Sequence, residues 1–355
     1  MSDLIQATVA DGLGHLTLDR PAAINALNWE MVQALTVVLE AWRDDTEVGL
    51  VLLDGAGDRG FCAGGDIREL HRFASDGRHE EAHRFFRTEY RLDAMIARYP
   101  KPVVSLMDGI TMGGGIGLAG HASTRVVTER SRLAMPETRI GFTPDVGGTW
   151  LLASAPGELG VHVALNARTM DAADAIHAGF ADAYVPSDRL PHLIQALAER
   201  ADPGTPAEIV MLFDETPGPS ALALARDWVD ECYSAPTVGE IIERLRAAGR
   251  RGVADASAAA DELETLSPTA LTVTLEAVRR ARVLPRLEDA LEQEFRAVTW
   301  FIEHPDLHEG IRAQVIDKDR NPRWLPASLA DVPEDVPSRA LDEQRFPGVW
   351  QTAGA

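Results

Sequence analysis

The stretch Gly109–Gly120, GITMGGGIGLAG, constrains the fold of this chain more than any other. It places six glycines in twelve residues, one residue, Asp108, after the apolar run Pro102–Met107. A run without polar alternation reads as a strand covered on both faces, so the chain must bring packing elements to both sides of a sheet. A helix that opens in three glycines can lie close to its neighbours and leaves backbone N–H groups at its start for an oxyanion. The stretch also contains a literal GxGxxG at Gly115, Gly117 and Gly120, which raises a nucleotide-binding oxidoreductase as an alternative. Two observations weaken it. Asp108–Met112 separate the strand from the glycines, and the acidic residue a dinucleotide site needs, Glu129, falls only nine residues past Gly120.

The rest of the first half follows a strand, turn and helix order. Residues 5–19 alternate around Gly12 and Gly14 as a hairpin. Asn28 reads as the cap of a helix to about Asp44, with Met31, Leu35, Val38, Leu39 and Trp42 on one face. Gly49–Asp54 is a second buried strand, and an arginine-rich helical region spans roughly 66–98. Short strands are expected at Thr124–Thr128 and Ala183–Val185, with helices near 147–155 and 171–178. Beyond about 200 the chain reads as mostly helical, including Pro268–Arg282 and Glu288–Ile302. The last thirty residues, with Pro326, Pro333, Pro337 and Pro347, read as an extended surface tail. The expected class is α/β: a core over 1–200, then a helical C-terminal region with its tail over 201–355.

Composition removes several functions. With 34 Lys+Arg against 55 Asp+Glu, the 355-residue chain carries a net charge of −21, which disfavours nucleic acid as a partner. Two cysteines, Cys62 and Cys232, cannot build a disulfide framework, and no Cys/His spacing suggests a metal. The first nineteen residues lack a basic region followed by an apolar one, and no segment suits a membrane span, so a cytoplasmic location is expected. Against the overall charge, residues 59–101 hold nine Lys/Arg and seven acids. Such a segment could receive an anionic group, although a solvated helix face is the commoner explanation.

Two further motifs can carry chemistry. In Phe61-Cys-Ala-Gly-Gly-Asp66, consecutive glycines allow backbone N–H groups to face a cavity; the alternative is a strand-to-helix turn capped by Asp66. In Ala134-Met-Pro-Glu137 and Gly141-Phe-Thr-Pro-Asp145-Val-Gly-Gly148, two carboxylates eight residues apart can converge for acid–base or nucleophilic work. They can equally be solvated loop acids. No GxSxG elbow is present, which leaves a serine hydrolase without its nucleophile.

In order and spacing, FCAGGD, GITMGGGIGLAG and MPETRIGFTPDVGG resemble the crotonase (enoyl-CoA hydratase/isomerase) superfamily over about residues 5–190. Phe85-Phe-Arg-Thr-Glu-Tyr90, the Asp145 turn and a C-terminal block (Ser267–Leu271, His308–Ala313, Ile316–Trp324) are most similar to its 3-hydroxyisobutyryl-CoA hydrolase branch, which serves valine catabolism. The resemblance implies a spiral of ββα turns with a helical C-terminal region, an acyl-CoA substrate and a homo-oligomer. No metal or further cofactor is implied, coenzyme A being part of the substrate. It also implies an oxyanion hole from the Gly65 and Gly114 amides. Glu137 and Asp145 become the catalytic pair, and Glu89, Gly114, Glu137 and Asp145 the substrate contacts. Hydratases of the superfamily carry a second glutamate where this chain has Gly117. Hydrolysis of a short β-hydroxyacyl-CoA is therefore expected over hydration. The alternatives are a hydratase or isomerase using Glu137 alone, and an inactive acyl-CoA binder.

Overall fold

Every strand among the described residues is short; those of the main sheet lie where an apolar or alternating run predicts one, whereas Ile110–Met112 and Arg132–Ala134 form where none is expected. The computed structural model describes residues 3–200 and 204–351; the expected boundary after residue 200 abuts 201–203, outside the described residues. Strands β1 (Ile5–Ala10) and β2 (Leu13–Leu18) form an antiparallel hairpin, turned by Asp11 and Gly12 at positive φ. The Trp29–Arg43 helix, capped by the Asn28 side chain on Met31 N–H at 2.9 Å, leads to β3 (Leu50–Gly55), which pairs with β2 in parallel. Strands β4 (Val103–Met107), β5 (Ile110–Met112), β6 (Thr124–Val127), β7 (Arg132–Ala134) and β8 (Ala183–Tyr184) follow. The main sheet runs β1-β2-β3-β4-β6-β8, parallel beyond the hairpin, and β5 pairs with β7 apart from it.

The chain winds between these two layers. After β3 it reaches Cys62, which bridges Thr111 of β5; after β4 it enters β5; after β6 it enters β7, whose Leu133 bridges Met170. Each pass adds one strand to the main sheet and one residue or strand to the small one. This is the ββα spiral, and its repeat lies in backbone path rather than in side-chain identity.

Burial explains the uninterrupted apolar runs. Leu50, Leu52, Val104 and Leu106 face a cluster with Leu190, Leu193, Leu197, Ile209 and Val210. On the opposite face Leu53, with Leu16 and Leu18, meets Leu35, Leu39, Ile96 and Leu118. Each fully buried leucine contributes about 1.5–3 kcal/mol, so neither face can turn polar without loss.

Contacts group the molecule into two compact units: 1–66, 88–134 and 170–220 in one, and 67–87, 135–169 and 221–355 in the other. All eight strands of the described residues belong to the first. The second is helical and centres on the Pro268–Ala281 helix, buried on most sides against Gly148–Ser154, Leu159–Leu165, Leu287–Ile302 and Val336–Asp342. The last of these helices lies in the stretch expected as extended tail. Its Val336, Ala340 and Leu341 form a buried stripe, and Pro337 sits in its first turn, where a missing N–H does no harm. Among the described residues no helix is long and apolar enough to cross a membrane.

Candidate active site

Two groups of predicted residues are each drawn together, one in each unit. The first is built around Gly65 and Gly114. Leu27 lies in a parallel bridge with Gly65: its N–H donates to the Gly64 carbonyl at 2.8 Å, and its carbonyl accepts from Asp66 N–H at 2.7 Å. That pairing turns the Gly65 N–H to the other side, where it has no acceptor among the described residues. Gly64 makes the turn at φ 102°, a conformation that favours glycine.

Gly114 opens the Gly114–Gly120 helix, so its N–H has no intrahelical acceptor. A Cβ at Gly114 would stand 3.4 Å from Gly65 N and 2.5 Å from Glu89 Oε1. Gly114, the Gly65 amide nitrogen and the Glu89 carboxylate are thus close neighbours. Glu89 is 1% exposed, on the helix His79–Ala97. Beneath them Cys62 Sγ accepts the Gly64 N–H at 3.4 Å, and burial pushes its thiol up to about 12, so Cys62 supports the loop as an inert group.

The helix also disposes of GxGxxG. It starts at Gly114, before the fingerprint, and Gly115, Gly117 and Gly120 are buried within it. They serve close packing, and no phosphate-binding turn precedes them. The cationic stretch is largely engaged in structure as well. Arg59 donates to the Pro21 and Ala22 carbonyls, Lys101 to those of Trp42 and Asp45, Arg87 to those of Pro347 and Gly348, and Arg78 pairs with Glu81.

The second group starts at Glu137, the first residue of a 3-10 turn ending at Ile140. The C-terminal block holds this turn. The Asp306 backbone carbonyl lies against Gly141, and Gly310 rests on the backbone of Ile140. Asp306 is itself fixed by Ser267 Oγ at 2.6 Å and by Leu325 N–H at 2.7 Å. A Cβ at Gly310 would run into the Ile140 carbonyl carbon and oxygen. Gly310→Ala is accordingly expected to cost about 1–3 kcal/mol of stability. Thermal melting checks this, and an unchanged midpoint would mean the turn has slack.

Asp145 follows on a strained turn: Val146 has φ 54° and Gly147 φ 77° before the Gly148–Ser154 helix begins. Thr143, two residues earlier, is held by Thr274 Oγ1 at 3.0 Å. Glu137 and Asp145 are 6% and 5% exposed, and Glu137 Oε2 has no hydrogen-bond partner among the described residues. Burial raises Glu137 well above the usual carboxylate range, and the charges of Asp145 and then Glu294 raise it further. Glu294 completes the acidic group and was not anticipated. Its signal lay in the sequence, since a glutamate stands between Leu291, Phe295 and Val298 on a helix face that is otherwise buried and apolar.

A sequence model of the enoyl-CoA hydratase/isomerase family matches residues 13–341. The chain belongs to that family. Within it, a Xenopus tropicalis mitochondrial 3-hydroxyisobutyryl-CoA hydrolase is 38% identical over 338 residues, covering 92% of this chain and 86% of the relative. The human mitochondrial 3-hydroxyisobutyryl-CoA hydrolase is 37% identical over 333 residues, with 91% and 84% covered. Among solved structures, a carnitinyl-CoA dehydratase from Mycobacterium thermoresistibile superposes with TM-score 0.92 at 46% identity, covering 98% of each chain. The family fold is therefore that of the spiral described above, and the C-terminal helices are part of it.

Proposed function

We propose that this chain hydrolyses the thioester of a short β-hydroxyacyl-CoA, 3-hydroxyisobutyryl-CoA first among them, to the free acid and coenzyme A, as a step of valine breakdown. The observation that carries the reading is the acidic pair: a buried Glu137 with an unpartnered oxygen, raised by burial and by Asp145, in a chain whose Gly117 supplies no second glutamate. The substrate assignment is supported by the hydrolase relatives. In this scheme the Gly65 and Gly114 N–H groups receive the thioester oxygen and stabilise the oxyanion as it forms. Glu137 acts on the carbonyl carbon in one of two ways. Once ionised, it attacks directly, expelling the CoA thiolate and leaving a mixed anhydride that water opens; or it takes a proton from the attacking water, whose oxygen bonds the carbonyl carbon as the CoA thiolate leaves. Single turnover in ¹⁸O water separates these, because only the anhydride route puts label into Glu137. Asp145 orients Glu137 or the substrate hydroxyl, and Glu89 binds the acyl hydroxyl.

The test is release of free thiol from (S)-3-hydroxyisobutyryl-CoA, beside isobutyryl-CoA and crotonyl-CoA. Fast release confined to the hydroxylated substrate is the expected result. The dehydratase relative favours a second reading, addition or removal of water across a double bond with Glu137 as sole acid–base group. Rapid hydration of crotonyl-CoA without thiol release would establish that reading instead. A homo-oligomer, a cytoplasmic location and the absence of a metal or cofactor belong to the same proposal. They are checked by sedimentation, fractionation against mitochondria, and metal analysis of the active protein.

A further inference from the structure

The turn that carries Asp145 is closed by its own backbone, the Gly148 N–H donating to the Asp145 carbonyl at 2.6 Å, and it is also held from outside. Val146 and Gly147 are consecutive residues in the left-handed region, which is costly for a β-branched side chain and persists only where the surroundings impose it. One side chain does so. Glu294 Oε2 accepts the Gly147 N–H at 2.7 Å, and its Oε1 accepts the Thr149 N–H at 2.9 Å and the Thr149 hydroxyl at 2.5 Å. Glu294 is 1% exposed, on the helix Leu287–Ile302, and a buried carboxylate is tolerable only when its oxygens are bonded in this way.

We propose that Glu294 is a positioning residue for the reaction: it clamps the Val146–Gly147 turn and so fixes Asp145 relative to Glu137. The inference rests on the reading of Glu137 and Asp145 as the working pair. Its charge acts too, since Asp145 and Glu294 are the charges raising Glu137.

Glu294→Gln keeps the size but turns an NH₂ group toward a backbone donor. Its kcat for thiol release should fall about 100-fold, the loss that accompanies a misplacement near 1 Å, with KM close to wild type. Glu294→Asp keeps the acceptor oxygens but shortens the reach, so its kcat should fall as well, again with KM close to wild type. A Gln variant with wild-type kcat, with a loss matching only its unfolded fraction, or with its loss in KM alone, overturns the proposal. If the Gln variant does not fold, Thr149→Val carries the test: a reduced kcat in the folded protein supports the clamp, and an unchanged one overturns it. If wild type releases no thiol, the hydrolase reading fails by itself, and amide exchange at Gly147 and Thr149 then decides the clamp. Protection in wild type with fast exchange in a Glu294 variant supports it; fast exchange in wild type removes it.

Discussion

Glu137→Gln is expected to lower kcat for thiol release by about 10³-fold, within the range for loss of a positioned acid–base group, and yet to leave the protein more stable at neutral pH. Both effects have one cause. Glu137 is buried, has an oxygen without a hydrogen bond, and is opposed by Asp145, so its folded-state value lies well above the ordinary carboxylate value of about 4.3. As pH rises from about 4.3 through the raised value, the unfolded chain releases this proton while the folded chain keeps it. Stability contributed by the group is therefore full at acid pH and is lost as pH increases. Glutamine has no such dependence. Its advantage should vanish near pH 4 and grow toward neutrality, which melts at the two pH values would reveal. A variant that loses both activity and stability at pH 7 would identify Glu137 as a structural acid. Glu294, raised to about 8 by burial against opposing hydrogen bonds from Thr149 and Gly147, adds a slope of the same sign.

Gly114→Ala should cost about 100-fold in kcat, comparable to removal of one oxyanion donor. The amide survives the substitution; its position does not. The new methyl carbon would lie 2.5 Å from Glu89 Oε1 and 3.2 Å from Leu27 Cδ1, with Gly65 N at 3.4 Å. The carboxylate or the helix start must move, and the two N–H groups then no longer converge. Adding Glu89→Ala removes the nearest obstacle. The Gly114→Ala loss should therefore be smaller in a Glu89→Ala background than in wild type, a non-additivity that kinetic comparison of the four proteins measures. Equal losses in both backgrounds would place the obstruction at Leu27 instead.

Most of the strand and helix positions could be read from residue order. Asn28 caps its helix, Pro268 sits in the first turn of another, and the runs 49–54 and 102–107 are strands because both of their faces are covered. The Pro-rich tail misled, because proline density suggested extension while the stripe Val336, Ala340 and Leu341 was enough to bury a short helix. The glycine pairs and the acids of the site were legible as motifs, each with a plain structural alternative. Glu137 as a solvated acid was reasonable until its burial was known, whereas Asp66 does stand directly before the Ile67–Ser75 helix.

The order of motifs, the patterned runs and the family resemblance are properties of neighbours along the chain, and the sequence by itself determined them. What only the tertiary structure decided is which groups meet. Glu294 holds a turn 147 residues away, Ser267 reaches Asp306 across 39, and residues 135–169 join the C-terminal helices rather than the strands that precede them. The physical reason is that a carboxylate's proton affinity and a strained turn's survival depend on desolvation and on the nearest donors and charges. Those are supplied by chain segments whose spacing in sequence carries no record of the encounter.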